Sequence, residues 1–236
     1  MNKFIENIKN IGIELSDNQL QLFNKYYELL VEKNKVMNLT AITEYQEVLT
    51  KHFLDSLTLI KVIDINNVDS VIDVGTGGGF PGIPLKIAFP HLKITLLDSL
   101  NKRVNWLNEV VVELGLDNIN AIHGRAEEFG QNTQYREKYD LCVSRAVANL
   151  ATLSEYCIPF VKKDGYFVSY KAATANDEMK AADKAIGLLG GKIEEVCSFN
   201  LEDTDMERNL IKIKKIKNTA KKYPRKAGLP SKEPIK

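Results

Sequence analysis

Between Asp73 and Gly82 the chain reads Asp-Val-Gly-Thr-Gly-Gly-Gly-Phe-Pro-Gly, five glycines in ten residues. Glycine lets the backbone turn at positive φ, and it lets a ligand approach main-chain N–H groups that a Cβ would cover. The run follows a short apolar stretch, Ser70 to Val74, and leads into residues of helical character. That order predicts a strand, a tight turn and a helix, the opening unit of a parallel α/β sheet with a ligand held at the turn.

The following sequence repeats the alternation. Lys93 to Leu97, Ile119 to Ile122, Tyr139 to Val143 and Gly165 to Tyr170 read as strands separated by helix-sized segments. One of those helices is capped by Asn101 and closed by Gly115, and another runs from Ala175 to about Leu189. Lys192 to Phe199 and Asn209 to Ile216 then follow with no helix between them, which predicts a terminal antiparallel hairpin. The expected fold is α/β, with a mostly parallel seven-stranded sheet.

Residues 1–64 read as helical. Ser16 with Gln19 fits a capping box, after which Leu20, Phe23, Tyr27, Leu30 and Val31 line one helix face. Beyond a break at Asn38-Leu-Thr-Ala-Ile42, Thr43 with Gln46 repeats the capping pattern. Val48, Leu49, Phe53, Leu57 and Ile60 continue the apolar stripe. Three regions are therefore expected: a helical cap over 1–64, a ligand-binding domain over 65–217 and a basic tail over 218–236.

Composition narrows the function classes. With 44% hydrophobic and 27% charged residues, disordered and fibrous readings fit poorly. Lys3, Glu6, Lys9 and Glu14 interrupt the N-terminus, leaving no apolar core for a signal peptide, and no uncharged run of about 18 apolar residues occurs for a membrane span. A cytoplasmic protein is expected. Cys142, Cys157 and Cys197 form no CxxC pair, and His52, His91 and His123 form no HExxH, so no metal site is expected. The formal net charge is +1, but from Arg208 to Lys236 eleven basic residues face one acid, giving +10 against −9 for the rest. An acidic body with a basic end suits either a polyanionic partner or a solvated tail.

The glycine loop admits two cofactor classes. Gly77, Gly79 and Gly82 satisfy GxGxxG, the weak dinucleotide fingerprint. Against that, Asp73 at the strand end would repel a pyrophosphate, whereas it suits the cationic, phosphate-free S-adenosylmethionine. Asp73, Gly75, Gly77 and Gly79 are thus candidate cofactor residues. Asp98 ends the second strand, where a carboxylate accepts from ribose hydroxyls in either class. Ala126 and Glu127, after the third strand, are candidates for the adenine edge.

DVGTGGGFPGIPLKI, LLDSLNKRVNWLNEV, HGRAEEF, SRAVANL and ERNLIKIKK, with NKVMNLTAI and HFLDSL upstream, resemble the small-subunit (16S) ribosomal RNA guanine-N7 methyltransferases, the glucose-inhibited division protein B family. The resemblance spans nearly the whole chain. It implies a class I, Rossmann-like methyltransferase fold, S-adenosyl-L-methionine as donor with S-adenosyl-L-homocysteine as product, and a guanine of 16S rRNA as target within the small ribosomal subunit. It also implies cofactor contacts at Gly75, Phe80, Ala126, Glu127 and Arg145, with Asp98 at the ribose. A monomer is expected.

The residues agree with ring-nitrogen chemistry. No (Asn/Asp)-Pro-Pro-aromatic motif for an exocyclic amine and no Pro-Cys nucleophile for cytosine C5 follows the fourth strand. The strand ends instead in Ser144-Arg145-Ala146. Arg145 is a candidate for positioning the substrate through guanine O6, for phosphate, or for the cofactor carboxylate, unless a salt bridge to Glu127 or Glu128 merely pins the loop. Lys171, after the fifth strand, is a second positioning candidate. Arg208, Lys221, Lys222, Arg225 and Lys226 are expected to meet RNA, with Tyr223 to stack on a base. Asn38 and His52 sit in the shared motifs with no role legible from residue type. Two rivals stay open: an NAD(P)-dependent oxidoreductase using GxGxxG, and a nonenzymatic RNA-binding protein with a vestigial pocket.

Overall fold

The computed structural model describes every residue except Ala146, Val147, Ala173 and Thr174, and residues 175–177 by backbone alone. At the N-terminus α1 (Asn2–Asn10) precedes α2 (Asp17–Met37). The capping box forms: Gln19 N donates to Ser16 Oγ at 3.3 Å, and Ser16 N donates to Gln19 Oε1 at 2.8 Å. Asn38 closes α2 as a left-handed C-cap with φ 50°, the conformation that asparagine tolerates best after glycine.

The next cap differs from expectation by one residue. Glu44, not Thr43, caps α3 (Tyr45–Val48), accepting from Glu47 N at 2.8 Å, while the Thr43 carbonyl accepts from the Tyr27 hydroxyl. The chain continues without a break through a π turn (Leu49–Leu54), α4 (Asp55–Leu57) and a 3-10 turn (Thr58–Lys61). Val48, Leu49, Phe53 and Leu57 are all fully buried along it.

Seven strands form one sheet: β1 (Ser70–Val74), β2 (Lys93–Asp98), β3 (Ile119–His123), β4 (Tyr139–Ser144), β5 (Val161–Lys171), β6 (Gly191–Asn200) and β7 (Glu207–Lys215). Their order is β3-β2-β1-β4-β5-β7-β6, parallel from β3 to β5, with β7 antiparallel to both neighbours. The connecting helices are α5 (Gly82–Ala88), α6 (Asn101–Glu113), α7 (Ala126–Phe129), α8 (Leu150–Cys157) and α9 (Ala175–Leu189), with α10 (Leu229–Lys232) near the end. Asn101 is the first residue of α6 rather than its cap, which is Leu100. β5 begins at Val161, four residues before the expected Gly165, by pairing with Tyr139 across an irregular register.

Strand alternation divides the core. Val71, Leu96, Leu141, Val143, Val168 and Leu210 pack with the N-terminal helices, α5 and α6. Ile72, Leu97, Cys142, Phe167, Ile211 and Ile213 pack with α8 and α9. Residues 1–64 thus share an uninterrupted apolar core with one sheet face, each buried Leu, Ile or Phe contributing about 1.5–3 kcal/mol.

The basic end is a docked strap rather than a loose tail. Arg136 donates to the carbonyls of Thr219 and Tyr223 at 2.7 Å, and Gln131 to those of Lys221 and Pro224. Arg225 makes a forked pair with Glu155 at 2.7–3.1 Å, and Thr152 donates to the Pro230 carbonyl at 3.0 Å.

Candidate active site

Strand order reverses between β1 and β4, and in open α/β sheets ligands bind outside the carboxyl ends of the strands at such a point. The glycine loop lies there. Gly75, Gly77 and Gly79 have φ of 73°, 59° and 93°, so three of the five glycines supply a conformation that other residues rarely adopt. Gly75 N donates to the Leu97 carbonyl at 2.8 Å, tying the loop to β2, and the Tyr26 hydroxyl of α2 donates to the Gly78 carbonyl.

Two carboxylates frame the loop. Asp73 is fully buried; its Oδ2 accepts from Thr76 Oγ1 at 2.7 Å and Gly82 N at 2.9 Å, while Oδ1 has no hydrogen-bond partner. Burial pushes this carboxyl up to about 7, against the opposing pull of the Thr76 and Gly82 hydrogen bonds. Asp98, 4% exposed, accepts from Gly77 N and Leu100 N, both at 2.9 Å, and faces Arg103 at 3.8 Å. Across the gap, Ala126 and Glu127 open α7, and Glu127 Oε1 accepts from Gly228 N of the strap at 2.7 Å.

Arg145 follows β4 and turns toward the helical cap rather than toward Glu127 or Glu128. It donates to Asp55 Oδ2 at 2.9 Å, meets His52 Nδ1 at 3.2 Å, and sits 5.0 Å over the Phe80 ring. Phe80 stacks on His52 at 4.5 Å between centroids, so its side chain belongs to the wall joining loop and cap. His52 Nε2 meets Thr40 Oγ1 at 2.7 Å. Guanidinium carries donors only, so Nδ1 is the acceptor and the ring is the neutral Nε2–H tautomer. Burial and the Arg145 charge lower His52 to about 3. Lys171 donates to the Ala148 carbonyl and pairs with Glu178 at 2.9 Å. Ala146, in the expected Ser-Arg-Ala strand end, lies outside the described residues.

The residues read as RNA contacts separate into two groups. Lys221, Lys222 and Lys226 are exposed on the strap. Arg208 is held by Asp55 at 2.9 Å, Arg225 by Glu155, and Tyr223 is 8% exposed within the core of the α8–α9 face. Burial leaves the Tyr223 ring no open face for a base, and the fork on Glu155 gives Arg225 a structural partner. Among the described residues no group of three or more His, Cys, Asp or Glu is gathered to hold a metal, and no helix is long and apolar enough to cross a membrane.

The family described as rRNA small subunit methyltransferase G matches residues 19–211. The chain belongs to that family. Relatives named ribosomal RNA small subunit methyltransferase G include one from Lachnoclostridium phytofermentans, 56% identical over 98% of this chain and 96% of its own length. Another, from Lysinibacillus sphaericus, is 54% identical over 99% and 98%. Among solved structures, the fold is similar to TYW2 of P. horikoshii in complex with MeSAdo, with a TM-score of 0.54 at 10% identity over 69% of this chain and 61% of that one. It is also similar to the S-adenosylmethionine-dependent methyltransferase SibL, with a TM-score of 0.53 at 17% identity over 70% and 55%. The sheet order with its antiparallel β7 is that of the class I methyltransferases.

In this family frame, sequence reasoning missed Asp55, Tyr26 and Glu155. Asp55 had a signal: an acid set among apolar residues in HFLDSL, on the inward side of a helical run.

Proposed function

We propose that this protein transfers a methyl group from S-adenosylmethionine to N7 of a guanine in 16S rRNA. Family membership supports the reaction class, and one observation of the site carries the cofactor: a glycine loop framed by two buried carboxylates, one with an oxygen that lacks a partner. A cationic adenosine derivative suits that environment, and a pyrophosphate does not. At Gly77 a Cβ would meet nothing closer than the Gly75 carbonyl at 4.0 Å, so the loop presents open space where a ligand can reach the backbone. In this reading Asp98 takes the ribose, Ala126 and Glu127 the adenine edge, and Asp73 the positive end.

Bound there, S-adenosylmethionine supplies a methyl group activated by its sulfonium. Guanine N7 has an in-plane lone pair and no proton, so the protein's task is alignment rather than proton removal. The groups nearest the carboxyl edge agree: Asp55 is spent on two arginines and His52 Nδ1 on Arg145. In this reading Arg145 and Lys171 position the RNA substrate, and Lys221, Lys222 and Lys226 follow its backbone, on the assembled small subunit and with the protein as a monomer.

Incubation with labelled donor and rRNA lacking the modification should place label on one guanine N7, mapped by nucleotide analysis. Calorimetry should show binding of S-adenosylmethionine and none of NADH. Label elsewhere, or preferential NADH binding, would overturn the assignment.

A further inference from the structure

The HFLDSL motif has no part in the chemistry above, yet its aspartate occupies a demanding position. Asp55 is 2% exposed and lies between arginines from two distant segments. Its Oδ2 accepts from Arg145, just beyond β4, and its Oδ1 from Arg208 Nε, in β7, both at 2.9 Å. The π turn Leu49–Leu54 places His52 and Asp55 on the same side of the helical run, where both face Arg145.

The charges do not cancel. One carboxylate faces two guanidiniums, and the neighbouring His52 is neutral, so the cluster keeps a surplus positive charge. For stability alone such a triad is a poor choice, because apolar side chains of similar volume fill buried space at less desolvation cost. The surplus also has an outlet. Arg145 and Arg208 retain 18% and 16% side-chain exposure. Among the described residues the Arg208 terminal nitrogens meet the Glu207 carbonyl at 3.2 Å and the Met206 sulfur at 4.0 Å, both weak partners for a guanidinium fork.

We propose that Asp55 is a positioning residue whose single carboxylate sets Arg145 and Arg208 together as a receptor for a backbone phosphate of the RNA substrate. The inference rests on the methyltransferase reading and adds a site to it. Phosphate suits the remaining donors, since a guanidinium binds it with paired N–H groups. One oxygen of Asp55 orients each arginine; Arg145 also meets the Lys51 carbonyl at 3.4 Å and His52 Nδ1 at 3.2 Å, so it contributes chiefly charge, and the weakly engaged terminal nitrogens of Arg208 supply the paired donors for the ligand.

Charge alone and positioning predict opposite results for Asp55→Asn. Removing the carboxylate adds positive charge, which by simple electrostatics tightens RNA binding; losing the common anchor splays the arginines and weakens it. Steady-state methylation of rRNA lacking the modification, with cofactor affinity measured on the same preparations, decides between them. Asp55→Asn should raise the KM for RNA about tenfold, with kcat within about twofold and cofactor affinity unchanged. In an Arg208→Gln background the same change should add little, because both act through one receptor. A role confined to holding the fold would instead lower cofactor affinity and add in full to Arg208→Gln. That result, an unchanged KM, or tighter RNA binding overturns the inference. If Asp55→Asn does not fold, Arg208→Gln decides alone: a tenfold rise in KM supports the receptor and a wild-type KM removes it. An unaltered protein that methylates no rRNA overturns the functional reading and the inference together, whereas an active one with unaffected variants overturns the inference only.

Discussion

At Gly77 the backbone itself disfavours other residues. With φ 59° and open space at the Cβ position, alanine here costs about 1–2 kcal/mol of left-handed strain without a clash. The methyl group would project into the space assigned to the cofactor. Gly77→Ala should therefore stay folded, with Tm a few degrees lower, and lose about tenfold or more in S-adenosylmethionine affinity by calorimetry. Gly82 differs in kind: its Cβ would fall 2.2 Å from Leu96 Cδ2 and 3.0 Å from Asp73 Oδ2, so alanine there clashes with the core and with the loop's own carboxylate. His52 gives a pH test. Its folded value of about 3 lies below the usual 6.5, so the unfolded chain binds the proton more readily between those values. The stabilisation is fully present above about pH 6.5 and is lost as pH falls toward 3. Relative to His52→Gln, the wild type should lose about 2 kcal/mol between pH 7 and pH 5, read from denaturant midpoints at each pH.

The strap is the element whose role changes most between sequence and structure. Eleven basic residues from Arg208 onward suggest a solvated or RNA-bound end, yet Arg225 faces inward to Glu155, which is 1% exposed. Arg225→Ala would leave that carboxylate buried without its counter-charge, keeping only the residue-225 backbone N–H, at a cost of roughly 3 kcal/mol, or about 6–12 °C in Tm by calorimetry. A change under about 2 °C would mean that the fork contributes little. The sequence could not separate Arg225 from Lys221, because both read as basic residues in the same run; only the buried acid 70 positions away distinguishes them. The strands were legible because short continuous apolar runs between helix-sized segments mark parallel strands buried on both faces, and β1 falls on the expected residues, Ser70 to Val74. The Thr43 cap failed because a tertiary contact, Tyr27 to the Thr43 carbonyl, is invisible in a local pattern. The glycine loop was legible since its φ demands are local. The Asp55 cluster was not, because it joins residues 90 and 153 positions apart.

Across the whole molecule, charge and architecture point in one direction. The acidic body disfavours a polyanion except where the strap and the Arg145–Arg208 pair offer positive charge. Neutralising Lys221, Lys222 and Lys226 together should weaken RNA binding and flatten the slope of log affinity against log salt by about 2, with cofactor affinity and Tm unchanged. A slope equal to wild type would assign RNA contact elsewhere. The helical cap belongs to the same assembly as the sheet, sharing its core and reaching the glycine loop through Tyr26.

That last reach makes two positions sterically interdependent. A Cβ on residue 79 would stand 2.7 Å from the Tyr26 hydroxyl and 2.6 Å from Ile83 Cδ1, so neither the loop nor the helix can drift on its own. Any side chain at residue 79 therefore demands smaller groups at positions 26 and 83 together, one on the cap and one on the sheet domain.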